Sequence, residues 1–202
     1  MTTAAKITYD GESVEFHGPV PQNLEGLIDI MQRNAAANGR VVTSVKVDGV
    51  EVLHAGTKAP ATYTKIDFAT ASDQELFVQA IDSTLVHTPQ PDAALDPILE
   101  SLLTDSWSSA FTKLNNFLQS LAPYFELLAN LSAYGKNTPA VRWGAQLEPQ
   151  LKTLEEVFKK ILSTSEGQQV AELTSLLNFE LRPLYTDSLD LVKNTIRPTF
   201  QK

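Results

Sequence analysis

Few residues of this 202-residue chain have types and spacings that could do chemistry. The three histidines, His17, His54 and His87, lie far apart, with no second ligand at helical spacing from any of them. An imidazole can bind a metal or transfer a proton, but a zinc site needs several ligands brought together. We therefore interpret each histidine as an ordinary surface residue.

A charge relay involving the last histidine is the one catalytic arrangement worth testing. Asp67 and Asp73 precede His87, and an aspartate–histidine pair can activate a serine. However, no Gly-x-Ser-x-Gly turn accompanies them, and no glycine pattern matches the two common nucleotide-binding loops. The chain has no cysteine, which excludes a thiolate nucleophile and cysteine-bound zinc. We predict no catalytic residue, no cofactor, no metal site and no enzyme activity.

The charged residues of the C-terminal half have structural interpretations. Glu155–Glu156 precedes Lys159–Lys160 by four residues, which is the spacing of ion pairs on a solvated helix face. Glu180 lies shortly before Pro183, where a proline leaves backbone groups of a helix without partners. We expect Glu180 to form a structural hydrogen bond there.

The chain has a net charge of −8, and both of its halves are acidic. Up to Pro91 there are six Lys and Arg against eleven Asp and Glu, and ten against thirteen follow. Nucleic acids and anionic lipids bind clustered basic residues, so we expect neither as a partner. No stretch resembles a signal peptide or a membrane span, and the lack of cysteine fits a reducing compartment. We expect a soluble cytoplasmic protein.

The clearest local signal is a β-hairpin between Gly39 and Leu53. Alternating residues predict one apolar face, and the turn is the dipeptide Asp48-Gly49, which tolerates positive φ angles. The residues expected on that face are Val41, Thr43, Val45 and Val47.

A second Asp-Gly hairpin precedes it, turning at Asp10-Gly11, and a helix capped by Asn23 lies between the two. If residues 62–69 form another strand, the order resembles that of a ubiquitin-like β-grasp module over about residues 6–68. The resemblance implies an interaction domain. It does not imply conjugation or sulfur transfer, because the chain continues beyond the module instead of ending in a free Gly-Gly tail.

The pattern after this module is helical. Ser72 or Asp73 caps a helix that ends near His87, and the proline-containing segment 88–92 is the expected linker. We therefore predict an α+β chain with a β-grasp-like ββαββ domain over residues 1–91 and an antiparallel helical bundle over residues 92–202.

Cap-plus-proline signals divide the predicted bundle into three or four long helices. We expect the first to start at Asp96-Pro97 and to run to about Leu121, with a kink or restart at Pro123. We expect a break or a second start at Pro149, and a last segment capped by Ser165 that is kinked at Pro183 and whose apolar stripe continues to Pro198. The apolar stripes are wider than one helix contact needs, so some of that surface could belong to another subunit.

A short segment near the C-terminus carries a second resemblance. Residues 173–184, LTSLLNFELRPL, resemble a segment of uncharacterised helical bacterial proteins. This resemblance implies a bacterial source and a helical assembly role, and no activity.

Aromatic residues and an arginine of the helical half are the candidate interface residues. Aromatic residues at helical spacing are more often core than binding site, but Trp, Tyr and Arg are also the residue types enriched in interface hot spots. The candidates are Trp107, Phe111, Arg142, Trp143, Phe179 and Tyr185.

Three functions remain open. The first is a non-catalytic interaction, scaffold or assembly protein, with a protein partner or a second copy bound by the helices. The second is a binding or sensor module that holds an apolar small molecule or a peptide between helices. An enzyme of unrecognised type is the third and least favoured, because no convergent polar groups are visible.

Overall fold

The computed structural model of the protein describes residues 5–16, 23–53, 63–138 and 141–201. A five-stranded mixed sheet in the N-terminal part is followed by helices, which confirms the predicted α+β class. The chain divides into two compact units, Met1–Phe77 and Val78–Lys202. The predicted domain boundary after residue 91 stays a prediction. In the part of the chain that the structure describes, no helix is long and apolar enough to cross a membrane.

The N-terminal unit contains one helix and one sheet. Its elements are β1 (Lys6–Tyr9), β2 (Glu12–Ser13), α1 (Leu24–Ala37), β3 (Arg40–Val47), β4 (Val50–Glu51) and β5 (Lys65–Ser72). The strand order is β2-β1-β5-β3-β4, with β1 parallel to β5 and the other pairs antiparallel. The predicted order of hairpin, helix, hairpin and strand is therefore present.

Both predicted Asp-Gly turns form, with positive φ angles at both residues of each turn: 51° and 87° at Asp10-Gly11, 47° and 87° at Asp48-Gly49. The Asp48 carboxylate also accepts hydrogen bonds from the Thr64 hydroxyl (2.8 Å) and from the backbone N–H groups of Thr64 and Lys65. These bonds lower the pKa of Asp48, and the bond from the Thr64 hydroxyl has the largest effect. The second turn therefore also fixes the start of β5.

Helix α1 covers one face of the sheet, where Leu27, Met31 and Ala35 pack on the strands. The prediction of which β3 side chains are buried is wrong at the start of the strand. A β-bulge between Val42 and Ser44 shifts the register, so Val42 is buried and Val41 is 49% exposed.

The chain after the sheet is helical, and two π-helical turns separate its last three helices. The helices are α2 (Asp73–His87), α3 (Pro91–Thr104), α4 (Trp107–Ser120), α5 (Ala122–Asn137), α6 (Gly144–Glu166), α7 (Val170–Ser175), α8 (Arg182–Asp190) and α9 (Arg197–Thr199). The π-helical turns are Leu176–Leu181 and Leu191–Ile196. The division between the two compact units falls within α2.

Two predicted boundaries near the start of the helical part are wrong. Helix α3 begins at Pro91, a favoured position for proline, so Asp96-Pro97 lies inside the helix and caps nothing. The expected linker is reduced to residues 88–90, where Thr88 is buried and the carbonyl of Pro89 accepts a hydrogen bond from the Tyr185 hydroxyl. This connection is packed against the helices.

Two predicted breaks in and after α6 are also wrong. The helix continues through Pro149, which lies in its second turn. The carbonyl that this proline leaves unbonded belongs to Ala145, which is exposed and can bond to water. Ser165 does not cap a helix, because its hydroxyl donates to the carbonyl of Ile161 within α6 (2.6 Å).

Pro183 and Pro198 do not end the last helical segment, because a π-helical turn precedes each of them. The backbone N–H of Arg182 bonds to the carbonyl of Leu177, and that of Arg197 bonds to the carbonyl of Val192, each five residues back. A wider turn takes the neighbouring carbonyl away from the proline ring that would otherwise clash with it.

The two wide turns belong to an internal repeat of ten residues, offset by fifteen. Residues 176–185 read LLNFELRPLY and residues 191–200 read LVKNTIRPTF. Both copies share apolar residues at positions one, two and six, Arg-Pro at seven and eight, and an aromatic residue at ten. The C-terminal resemblance segment, residues 173–184, ends inside the first copy.

Each repeat is anchored by its arginine and its aromatic residue. Arg182 donates to Asp92 (2.7 Å) and Asp96 (2.5 Å) on α3, and Arg197 binds Asp82 on α2 through two nitrogens (2.5 and 2.8 Å). The aromatic residues, Tyr185 and Phe200, are buried.

The close crossing of α5 and α6 depends on two glycines. A Cβ atom at Gly135 would lie 2.8 Å from the Cα atom of Gly144 and 3.1 Å from the ring of Trp143. A Cβ atom at Gly144 would lie 3.0 Å from the backbone of Gly135. No larger residue fits at this crossing without moving the helices.

We predict that Gly135→Ala lowers the free energy of unfolding by about 1–3 kcal/mol, the usual cost of overpacking, although alanine is the better helix former. The control is Gly167→Ala, where the added Cβ atom meets nothing closer than 3.5 Å, and its effect should stay below about 1 kcal/mol. Urea unfolding followed by circular dichroism measures both. Equal stability of the two variants would contradict the dependence of the α5–α6 crossing on Gly135.

Candidate functional site

Of the hypothetical charge relay, Asp73 and His87 lie at opposite ends of α2 and therefore cannot meet. His87 is exposed at the end of α2, while His17 and His54 lie outside the described residues. The Asp67 carboxylate binds Lys65 Nζ (2.7 Å) and the Thr8 hydroxyl, and these contacts, Lys65 foremost, lower its pKa. No group of three or more His, Asp or Glu that could hold a metal occurs in the described ranges.

The predicted ion pairs within α6 do not form. Lys160 Nζ instead binds Glu180 in the first π-helical turn at 2.9 Å. Glu180 therefore has a structural role, but its partner is a lysine and not a backbone group. Among the described residues, Glu155, Glu156 and Lys159 form no ion pair.

Two of the six candidate interface residues, Trp143 and Tyr185, belong to the core, with 2% and 1% of their surface exposed. The Trp143 indole N–H donates to the Thr199 hydroxyl (3.1 Å), and its ring packs between Tyr134 and Phe200. Burial raises the pKa of Tyr185. Neither side chain can reach a partner from the surface of this chain.

The other four candidates lie at the surface. Trp107 is half-buried and stacks on Phe111, with ring centroids 6.0 Å apart, and Phe111 is 42% exposed. Arg142 is exposed next to Trp143, and Phe179 is 72% exposed in the first π-helical turn. The structure therefore brings together Trp107 and Phe111.

A polar corner connects α3 to α4, which begins at Trp107. The predicted long helix breaks at Asp105-Ser106, and the Ser106 hydroxyl caps α4 by accepting the N–H of Ser109 (3.4 Å). The Asp105 carboxylate accepts hydrogen bonds from Ser101 (2.6 Å) on α3 and from Lys113 (2.9 Å) on α4. These bonds, Ser101 foremost, lower the pKa of Asp105 to about 2.

An apolar groove of about 590 Å³ lies between α4–α5 and α6. At its centre the rings of Phe125 and Phe158 meet edge to face, with centroids 4.7 Å apart. Leu162 is 53% exposed at one end. Its apolar lining consists of Leu118, Ala122, Phe125, Ala129, Leu151, Phe158 and Leu162.

Three charged residues, Glu126, Glu155 and Lys159, line the groove together with these apolar side chains. None of the three forms an ion pair with another described residue. The rim of the groove therefore carries both positive and negative side chains, and none of the three stabilises the described part of the fold through an ion pair.

The aromatic pair and the groove lie on the same face of α4. At 100° per residue, Trp107, Phe111 and Leu118 fall within about 40° of one another around the helix. Leu118 itself lines the groove. We call this combined surface, made of Trp107, Phe111 and the apolar groove, the docking face.

Adjacent apolar residues in the sequence indicate the groove, but their periodicity alone does not show which of them is buried and which lines the groove. Adjacent apolar pairs such as Phe117-Leu118 and Ile161-Leu162 widen the stripes, and the structure buries the first member of each pair and leaves the second on the groove. The predicted wide stripes therefore include both core and groove residues.

No family model matches the chain, and no curated protein or solved structure matches it either. The resemblance of the N-terminal unit to β-grasp modules stays a prediction. The resemblance of residues 173–184 to helical bacterial proteins also stays one.

We predict that Asp105→Asn lowers the melting temperature at neutral pH and loses this effect in acid. The folded-state pKa of about 2 lies below the ordinary value of 3.8, so the stabilisation is complete above about pH 4 to 5 and is lost as the pH falls towards 2. Melting curves of both proteins between pH 7 and pH 2 should converge. The exposed Asp190→Asn is the control. A difference in melting temperature between the wild type and Asp105→Asn that does not depend on pH would contradict this role of Asp105.

Proposed function

We propose that the protein is a non-catalytic interaction and assembly protein, and that its helical part binds a protein partner through the docking face. The observation that carries the proposal is the open apolar groove together with the stacked Trp107–Phe111 pair, in which Phe111 is exposed and Trp107 is half-buried. The proposal includes the cytoplasmic location expected from the absence of cysteine.

The dimensions of the groove suit a helix. Its lining on α6 extends from Leu151 to Leu162, and eleven residues of helix span about 16 Å. A partner helix would cover this length with three turns and insert apolar side chains at i, i+4, i+7 and i+11, as in other helix-in-groove complexes.

The exposed apolar side chains supply a driving force. Burying a Phe or Leu side chain completely is worth about 1.5–3 kcal/mol. Phe111 and Leu162 are each about half exposed, so a partner that covers both gains roughly half of that amount from each.

A small apolar molecule as ligand is the less favoured alternative. The groove volume lies within the range of ligand pockets. However, Ala122, Glu126, Ala129 and Leu162 on its walls are themselves exposed, so a small molecule would stay partly in water. A long partner segment can cover these walls.

We predict that a photo-crosslinker at the groove captures a partner protein. Because the chain has no cysteine, Leu162→Cys gives a single site for a benzophenone maleimide. Irradiation in an extract of the native source should give a discrete adduct of higher mass, which denaturing electrophoresis detects.

Two matched variants control this experiment. Thr153→Cys lies nine residues earlier on α6, which places it on the opposite side of the helix, and it should give no such adduct. Ala129→Trp fills the groove from an exposed position and should abolish the adduct of the labelled Leu162→Cys protein. Labelling without any adduct, or equal adducts from positions 162 and 153, would overturn the proposed function.

A further inference from the structure

Two contacts fix how α5 and α6 are aligned along the groove. A Cβ atom at Gly135 would lie 2.8 Å from the Cα atom of Gly144, and the Phe125 and Phe158 rings have centroids 4.7 Å apart. The first contact joins the end of α5 to the start of α6, and the second joins the start of α5 to the second half of α6. The two helices are therefore antiparallel, and a step forwards along α5 corresponds to a step backwards along α6.

Glu126 and Glu155 lie at nearly the same level on opposite walls of the groove. Glu126 follows Phe125 by one residue, and Glu155 precedes Phe158 by three residues. Because the helices are antiparallel, both steps lead in the same direction from the ring contact, and at 1.5 Å per residue the two levels differ by about 3 Å. Both glutamates line the groove. Each wall therefore carries one carboxylate at this level.

The two glutamates lie on the rims of the groove and the two phenylalanines on its floor. At 100° per residue, Glu126 lies about 100° around α5 from Phe125, and Glu155 lies about 60° around α6 from Phe158. The phenylalanine rings contact each other, so they mark the side on which the helices meet, while both glutamates are exposed. The groove therefore has an apolar floor between two rims that each carry a carboxylate.

The rims carry more negative than positive charge. Lys159 lies one turn from Glu155 on the α6 wall and forms no ion pair with another described residue. On the α5 wall, Glu126 is the only charged side chain among the described residues that line the groove. An acidic partner would meet like charge on both rims, which is unfavourable, and a basic partner would meet a carboxylate on each.

On this basis, and resting on the proposed function, we propose that the occupant of the groove is an amphipathic helix with a basic residue on each flank of its apolar stripe. The stripe covers Phe125 and Phe158, and the flanks place a lysine or arginine beside Glu126 and another beside Glu155. Long basic side chains suit these positions, because their methylene groups cover apolar surface while the charge reaches the rim.

A displayed library of helical peptides of about fifteen residues tests this inference. Each peptide has apolar residues at i, i+4, i+7 and i+11 and random residues at the flanking positions, and selection is carried out on the immobilised full chain. The flanks of the bound peptides should be enriched in lysine and arginine over aspartate and glutamate. Selection on Ala129→Trp, which fills the groove, should recover no such peptides.

Variants of the two glutamates then locate the charges, with one selected peptide measured by fluorescence anisotropy. Glu126→Gln and Glu155→Gln should each raise its dissociation constant about two- to fivefold, as expected for one exposed ion pair. The double variant should show a weaker dependence on salt. Glu156→Gln is the control, because Glu156 is exposed on α6 next to Glu155 and is not part of the described groove lining. It should leave the dissociation constant unchanged, and circular dichroism shows that every variant is folded.

The outcomes separate this inference from the proposed function. Selected peptides without basic flanks overturn the basic helix as occupant, and so do basic peptides that Glu156→Gln weakens as much as Glu155→Gln does. Recovery of no peptide also overturns it. In each of these cases an adduct of labelled Leu162→Cys with a protein would still support the proposed function, which only the failure of that cross-linking experiment overturns.

Discussion

The packing of the helical part depends on how the segment from Val170 to Thr199 accommodates Pro183 and Pro198. A proline inside an α-helix removes one hydrogen bond and clashes with the preceding turn. A π-helical turn ahead of each proline removes the clash and keeps the segment helical. The helix then continues far enough for Arg182 and Arg197, the residues before the prolines, to bind aspartates of α3 and α2.

This arrangement decides which aromatic residues are core and which remain at the surface. The last segment buries Tyr185 and Phe200, and Trp143 packs against it through Phe200 and the Thr199 hydroxyl. No described helix covers the outer side of α4 and the groove between α5 and α6 in the same way. The exposed Phe111 and its neighbours on the docking face are therefore the surface to which we propose that a partner binds.

The sequence predicts local structure well where one residue decides the conformation. The two Asp-Gly turns and the Asn23 cap form as expected, because glycine and short polar side chains favour these backbone geometries. It fails where distant contacts decide. A bulge in β3 reverses the exposure of Val41 and Val42, and nothing in periodicity separates the buried Trp143 from the accessible Trp107. The Arg-Pro repeat is visible in the sequence, but only the structure shows that its prolines continue the helix.

If the docking face binds a protein partner, Trp107 is its natural reporter. The chain has two tryptophans, so Trp143→Phe leaves Trp107 as the only one. We would measure acrylamide quenching of the Trp107 fluorescence in the free protein and in the adduct isolated after cross-linking through labelled Leu162→Cys, with the same adduct lacking Trp107 as the blank for the partner's own fluorescence. Partner binding at the docking face predicts that quenching decreases and that the emission shifts to shorter wavelength in the adduct. Equal quenching and emission in the free protein and in the adduct would contradict it.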